Sequence, residues 1–249
     1  MTLEQIFKYV NYISVKENTG STLQPQQRNT ILEASNISMF NRKVAEAQAY
    51  AFANKIGFSE ATQSILALRE FHVKENITFT AGVFDITTLT NSYAYWGSMV
   101  ALFNGAYRQI ELLTDHDLTV RRSNLISKQL SDYPAATLFG NSLTVYPSNV
   151  ATAEFFFLKN PIKPVYDYYL NTYQVEVYLV PAATHVLTSG ETGSSGETAG
   201  TTVTSTTVEL EWGTLWHEEF CLEILKRVGI NIKDEQLRQY IKEAEGLQK

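Results

Sequence analysis

The chain has a single cysteine, Cys221, among 249 residues. No intrachain disulfide can form, and a reducing cytoplasm is the natural place for such a protein to assemble. Long apolar runs are missing as well. Apolar runs such as residues 155–158 are far short of the roughly 20 residues a spanning helix needs, so no membrane association is expected. The opening MTLEQIFKYV lacks a basic start followed by a long apolar stretch, so no signal peptide is expected there. Basic charge is in short supply, with 20 Lys and Arg against 26 Asp and Glu, a net charge of −6. Tight nucleic-acid binding normally needs a basic face that releases phosphate counterions, so DNA affinity is not expected as the main task. No Gly-x-Ser-x-Gly or comparable nucleophile site is present either.

What the chain does have is aromatic side chains, with 14 Tyr and 13 Phe. Tyr suits half-buried surfaces because its ring packs while its hydroxyl stays wet, a composition fit for strands and protein interfaces.

The order of patterns predicts an α+β fold. Thr2 and Gln5 form a capping box, and Leu3, Ile6, Phe7, Val10 and Ile13 follow at helical spacing. Pro25 restarts helix, which runs from about residue 26 towards residue 54, with Asn36-Ile37-Ser38 as a candidate interruption. Gly57 is expected to close it and Ser59 to cap a third helix. Residues 71–187 form a central, mostly antiparallel β region. Candidate strands are 77–80, 83–87, 93–103, 107–113, 142–146, 153–159 and 173–181, and residues 114–130 stand between helix and loop, with Asp115 as a candidate cap. Residues 188–207 are low-complexity Ser, Thr, Gly and Glu. They read as the flexible tip of a long hairpin whose arms are 174–187 and 201–212. Residues 208–249 bring a strand and C-terminal helices. Trp216, Phe220, Ile224 and Val228 mark the first helix, and Leu237, Tyr240, Ile241 and Ala244 mark one stripe of the last, residues 234–249.

Several motifs invite a chemical reading and have a plainer one. His217 and Cys221 are four apart, a zinc-helix spacing, but Cys221 falls on the apolar stripe and reads as a core thiol beside an exposed His. His72, His116 and His185 stand alone in sequence. Pro161-Ile162-Lys163-Pro164 follows an apolar strand and reads as a strand stop rather than a polyproline ligand. Arg121, Arg122 and Lys128 read as solvated or salt-bridged surface, and Asp115-His116-Asp117 as a polar turn or helix start. Paired carboxylates for glycoside hydrolysis meet only in space, and nothing in the sequence points to them.

Three segments carry a resemblance: MTLEQIFKYVNYISVKENTGSTLQPQQRNTIL at the start, SLTVYPSNVATAEFFFLKNPIKP in the middle, and LEWGTLWHEEFCLEILKRVGINIKDEQLRQYIKEAE at the end. Together they resemble the head-to-tail connector proteins of short-tailed bacteriophages, most closely the neck ring proteins of crAss-like phages of gut Bacteroidales. The resemblance implies a structural virion protein with no catalytic residues, cofactor or metal. Such a protein assembles in the host cytoplasm into a closed ring, usually a dodecamer, below the portal. Its partners are other copies of itself, the portal and adjacent neck or tail rings, and genomic DNA passes through without specific binding. The stripe Leu237, Tyr240, Ile241 and Ala244 is then expected to dock on an adjoining subunit. Two competitors are a tail-appendage or receptor-binding protein, against which the helical start and finish count, and a cell-wall hydrolase, against which the missing nucleophile counts.

Overall fold

A computed structural model describes residues 1–16, 23, 25–103, 105–123 and 133–228. Its elements confirm the α+β reading, with helices towards both ends of the described chain and, between them in sequence, a mostly antiparallel, curled sheet. Two compact units divide the chain: Met1–Lys43 joined with Pro161–Lys249, and Val44–Asn160. The division follows tertiary contacts, so it cuts across the segments read from local composition and groups the two ends of the chain together.

The unit built from the chain ends begins with α1 (Leu3–Lys16). The Thr2 amide donates to Gln5 Oε1 at 3.0 Å and the Gln5 amide to Thr2 Oγ1 at 3.3 Å, completing the capping box. Leu3, Ile6, Phe7, Val10 and Ile13 are all buried, each contributing about 1.5–3 kcal/mol on leaving water. Next comes α2 (Pro25–Asn54), which runs unbroken through Asn36-Ile37-Ser38. Asn36 is not a breaker because its amide is used at long range, donating to Ile162 O at 2.9 Å and accepting from Trp212 Nε1 at 2.7 Å.

In the central unit, α3 (Phe58–Ser64) is N-capped by Gly57, not by Ser59, and the left-handed residue that follows α2 is Lys55. The strands are β1 (His72–Thr78), β2 (Val83–Asp85), β3 (Tyr93–Phe103) and β4 (Ala106–Leu112); then, after α4 (Asp115–Ser123), β5 (Ala135–Phe139), β6 (Ser142–Tyr146) and β7 (Thr152–Lys159). They form one sheet in the order β1-β7-β3-β4-β5-β6-β2, with only β4 and β5 parallel. The two edge strands, β1 and β2, are consecutive in sequence. The Thr80 and Val83 backbones bond to each other across Ala81 and Gly82, so the sheet curls back on itself. A side chain at Gly82 would meet Ser148 Cα at 2.9 Å, which is why the turn needs glycine there. Ile77, Met99, Ala101, Ile110, Ala136, Leu143, Val145, Phe155 and Phe157 fill the interior. Strand β3 bulges between Trp96 and Ser98, where a Cβ on Gly97 would lie 2.6 Å from Phe156 O.

Helix α4 resolves the ambiguous stretch. Its cap is Thr114, one residue earlier than expected: Thr114 Oγ1 accepts from the Asp117 amide at 3.1 Å and donates to Asp117 Oδ2 at 2.7 Å.

The end-built unit then resumes at Pro161, directly after β7, as the strand-stop reading of the two prolines expects. Strands β8 (Tyr168–Leu170), β9 (Glu176–Tyr178) and β11 (Thr192–Gly193) form one small sheet, and β10 (Thr184–Val186) pairs β12 (Thr202–Thr204). The arms of the expected long hairpin pair as strands along three residues, with further backbone bonds between residues 183 and 205 and between 187 and 200–201, and part of the Ser/Thr/Gly stretch between them adds a short strand beside β8. Helix α5 (His217–Arg227) packs its buried Phe220, Cys221, Ile224 and Leu225 in the unit that holds α1, and it contacts α1.

Candidate functional site

A concentration of charge and aromatic rings, partly buried, lies in the end-built unit around Arg28. Phe7 comes from one face of α1, Arg28 from the second turn of α2, and Glu176 and Tyr178 from β9. The Arg28 guanidinium lies 5.0 Å from the Phe7 ring centre and 4.8 Å from that of Tyr166, within cation–π range of both. It forms an ion pair with Glu176, whose Oε1 also accepts from the Tyr166 hydroxyl at 2.6 Å. Asn29 fixes the Tyr166 backbone, donating to its carbonyl at 3.1 Å and accepting from its amide at 2.7 Å. Tyr178 stacks at a tilt on Tyr166, ring centres 5.1 Å apart, and its hydroxyl donates to Glu209. Glu209 also accepts from the Leu3 amide at 2.9 Å, at the N-terminus of α1 where negative charge is favoured.

Burial, then the hydrogen bond and charge of Glu176, push the Tyr166 hydroxyl far above the usual phenol range. Tyr178 is pushed up in the same way, by burial and then by Glu209. Both phenols are therefore held as donors at any physiological pH. A cleft of about 190 Å³ opens beside the cluster, lined in part by Glu4, Lys8, Asn11 and Arg28. The chemistry of the set is that of a clasp. The guanidinium, the carboxylates and the phenols bind one another and fasten both helices to β9.

A second polar centre is Asp167. It is buried and accepts from the Tyr168 amide at 2.9 Å, the Ser194 hydroxyl at 2.6 Å, and the Thr206 amide and hydroxyl at 2.9 and 3.1 Å. Burial alone would raise its pKa, but these donors outweigh burial and hold it below the usual carboxylate range. Two of the donors, Ser194 and Thr206, belong to the Ser/Thr/Gly stretch. Its bracing comes from hydroxyl groups, a source that hydrophobic patterning does not register.

His217 is buried, not exposed as its sequence context suggests. Its Nε2 lies 2.9 Å from Trp212 O, which only a protonated nitrogen can satisfy, and burial lowers its pKa. Cys221 is fully buried and its thiol is pushed up to about 12, first by burial and then by Glu218. Among the described residues, no group of three or more His, Cys, Asp or Glu is placed to hold a metal ion, and no helix is long and apolar enough to cross a membrane.

Of the other residues singled out by sequence, Arg121 pairs with Glu111 at 2.8 Å and bonds Tyr133 O at 2.9 Å, while Arg122 lies over the Tyr146 ring. Asp115 and Asp117 open α4, the helix start they suggest. His185 stacks on Tyr169 and bonds Glu191 at 3.0 Å. Leu237, Tyr240, Ile241 and Ala244 lie outside the described residues, as does Lys128. Sequence reasoning missed the Arg28 cluster altogether. Its ion pair joins positions 148 apart, and no local pattern signals it. No protein-family model and no curated protein matches this chain.

Proposed function

We propose that this chain is a structural subunit of the neck of a crAss-like, short-tailed bacteriophage. In this role it forms a homo-oligomeric ring that joins the portal to the tail and surrounds the DNA channel, and it catalyses no reaction. The observation that carries the reading is how the chain uses its side chains. Polar groups of the interior such as Arg28 and Asp167 are committed to partners within the chain, while Phe52, Tyr107, Phe139, Tyr173 and Leu215 stand 73–90% exposed. Large bare side chains at several places fit a subunit whose surface is covered on assembly. Acidic balance also fits a channel wall that must let DNA slide, because like charge repels the phosphate backbone. The same reading assigns Leu237, Tyr240, Ile241 and Ala244 to docking on an adjoining subunit, and places the protein in the virion after assembly in the host cytoplasm.

The test is the copy number per purified virion, counted against the portal protein by quantitative mass spectrometry. A ring predicts one copy, or a small whole number of copies, per portal subunit. Three copies per virion would instead favour a trimeric tail appendage, and absence from the virion would end the structural reading.

A further inference from the structure

The two ends of strand β4 carry unlike and complementary features. At its start, in the hairpin with β3, Leu102 and Tyr107 are a cross-strand pair on the outer face, and both are exposed. The next residue, Arg108, projects to the opposite face of β4, across from Ala101; it is exposed, has no carboxylate partner among the described residues, and lies over the Tyr133 ring. At the other end, where β4 runs out beside β5, a cleft of about 450 Å³ opens between Leu112 and Leu113 on one side and Leu138 on the other. Its wall continues into Thr114 and Asp115. Five residues separate Tyr107 from Leu112, about 17 Å along a strand. An apolar tip followed by an exposed cation and an apolar hollow beside an exposed carboxylate thus lie at the two ends of one strand.

We propose that the β3–β4 tip of one copy seats in the β4–β5 cleft of the next, with Leu102 and Tyr107 against Leu112, Leu113 and Leu138, and Arg108 facing Asp115. The choice of a second copy as occupant rests on the ring reading and on this charge complementarity. A volume of about 450 Å³ falls in the range, roughly 300–1,000 Å³, of pockets that enclose a compact apolar group. A tip that fits a cleft elsewhere on the same chain is a head-to-tail contact. Repeated, it closes into a ring where the rotation permits and otherwise grows as a filament.

Disulfide trapping tests the contact on the full-length chain. Tyr107→Cys and Leu112→Cys change exposed positions, so the double variant should melt like the wild type, and the native thiol at Cys221 is buried. Oxidation of the concentrated double variant, followed by alkylation and a non-reducing gel, should give a ladder of dimers, trimers and larger species. Each single variant should give nothing beyond a dimer, because it carries one new thiol. A double variant that stops at dimer overturns the proposal, and so does a ladder from either single variant. This readout is separate from the copy number in virions. Ring-sized copy numbers with no ladder would leave the ring reading and discard this contact. A ladder from a protein present at three copies per virion would keep the contact and discard the ring.

Discussion

Arg28 in α2, which is buried, and Glu176 at the start of β9, which is half-buried, form an ion pair across 148 positions of sequence. Taking both charges from water is costly, and the pair holds because Phe7 and Tyr166 flank the guanidinium while the Tyr166 hydroxyl shares the carboxylate. Breaking it on one side should be far worse than removing both charges. Glu176→Ala should destabilise the protein by about 1–3 kcal/mol, since buried Arg28 loses its carboxylate, whereas Arg28→Met with Glu176→Leu should cost clearly less. Urea denaturation of the three proteins decides it. Equal losses in the single and double variants would mean that the pair is not desolvated in solution.

The bulge at Gly97 should tolerate no side chain. Gly97→Ala places a methyl against the Phe156 carbonyl in the middle of the β3–β7 pairing, and should cost about 1–3 kcal/mol through forced strand displacement. A thermal melt unchanged from the wild type would contradict the observed register.

Stability should fall as pH drops from 7 to 5. His72 and His217 both have pKa values lowered by burial, an effect only partly offset by their backbone bonds to Thr62 and Trp212. The unfolded chain takes up protons near the ordinary histidine pKa of about 6.5, while the folded chain resists them. Their contribution is therefore complete above about pH 6.5 and is lost as pH falls towards the folded values. The His72→Gln, His217→Gln double variant should show a flatter profile between pH 7 and 5. A wild type that gains stability over that window, relative to the double variant, would reverse the assigned sign.

Cys221 should be inert while the protein is folded. A fully buried thiol pushed up to about 12 presents almost no thiolate at neutral pH. Modification by a thiol reagent should track unfolding as denaturant is added. Rapid labelling of native protein would contradict the packing of α5.

Local chemistry made much of this fold legible. The capping box at Thr2 and Gln5, the buried stripe of α1, and strands β3, β6 and β7 follow from patterns within a few residues of one another. Strand β5 was missed because Ala135 and Ala136, both fully buried, carry none of the β-branched bulk that marks a strand. The unbroken helix through Asn36 and the short strands of the Ser/Thr/Gly stretch were not legible for a related reason. Asn36, Ser194 and Thr206 are satisfied by Ile162, Trp212 and Asp167, partners that no sequence window contains. The Arg28 clasp lies wholly in that long-range class.

The C-terminal stripe has its own test. Ending the chain after Gly229 removes Leu237, Tyr240, Ile241 and Ala244. The shortened protein should remain soluble, unfold cooperatively and fail to join the neck. Loss of the fold, or normal incorporation into particles, would refute docking by that stripe.

The central claim is best tested by averaged electron images of the neck of virions that carry this protein with a small tag fused at its C-terminus. The account predicts added density as a closed ring between portal and tail, with twelve-fold rotational symmetry. Density at three peripheral positions on the tail, or no added density in the neck, would contradict it.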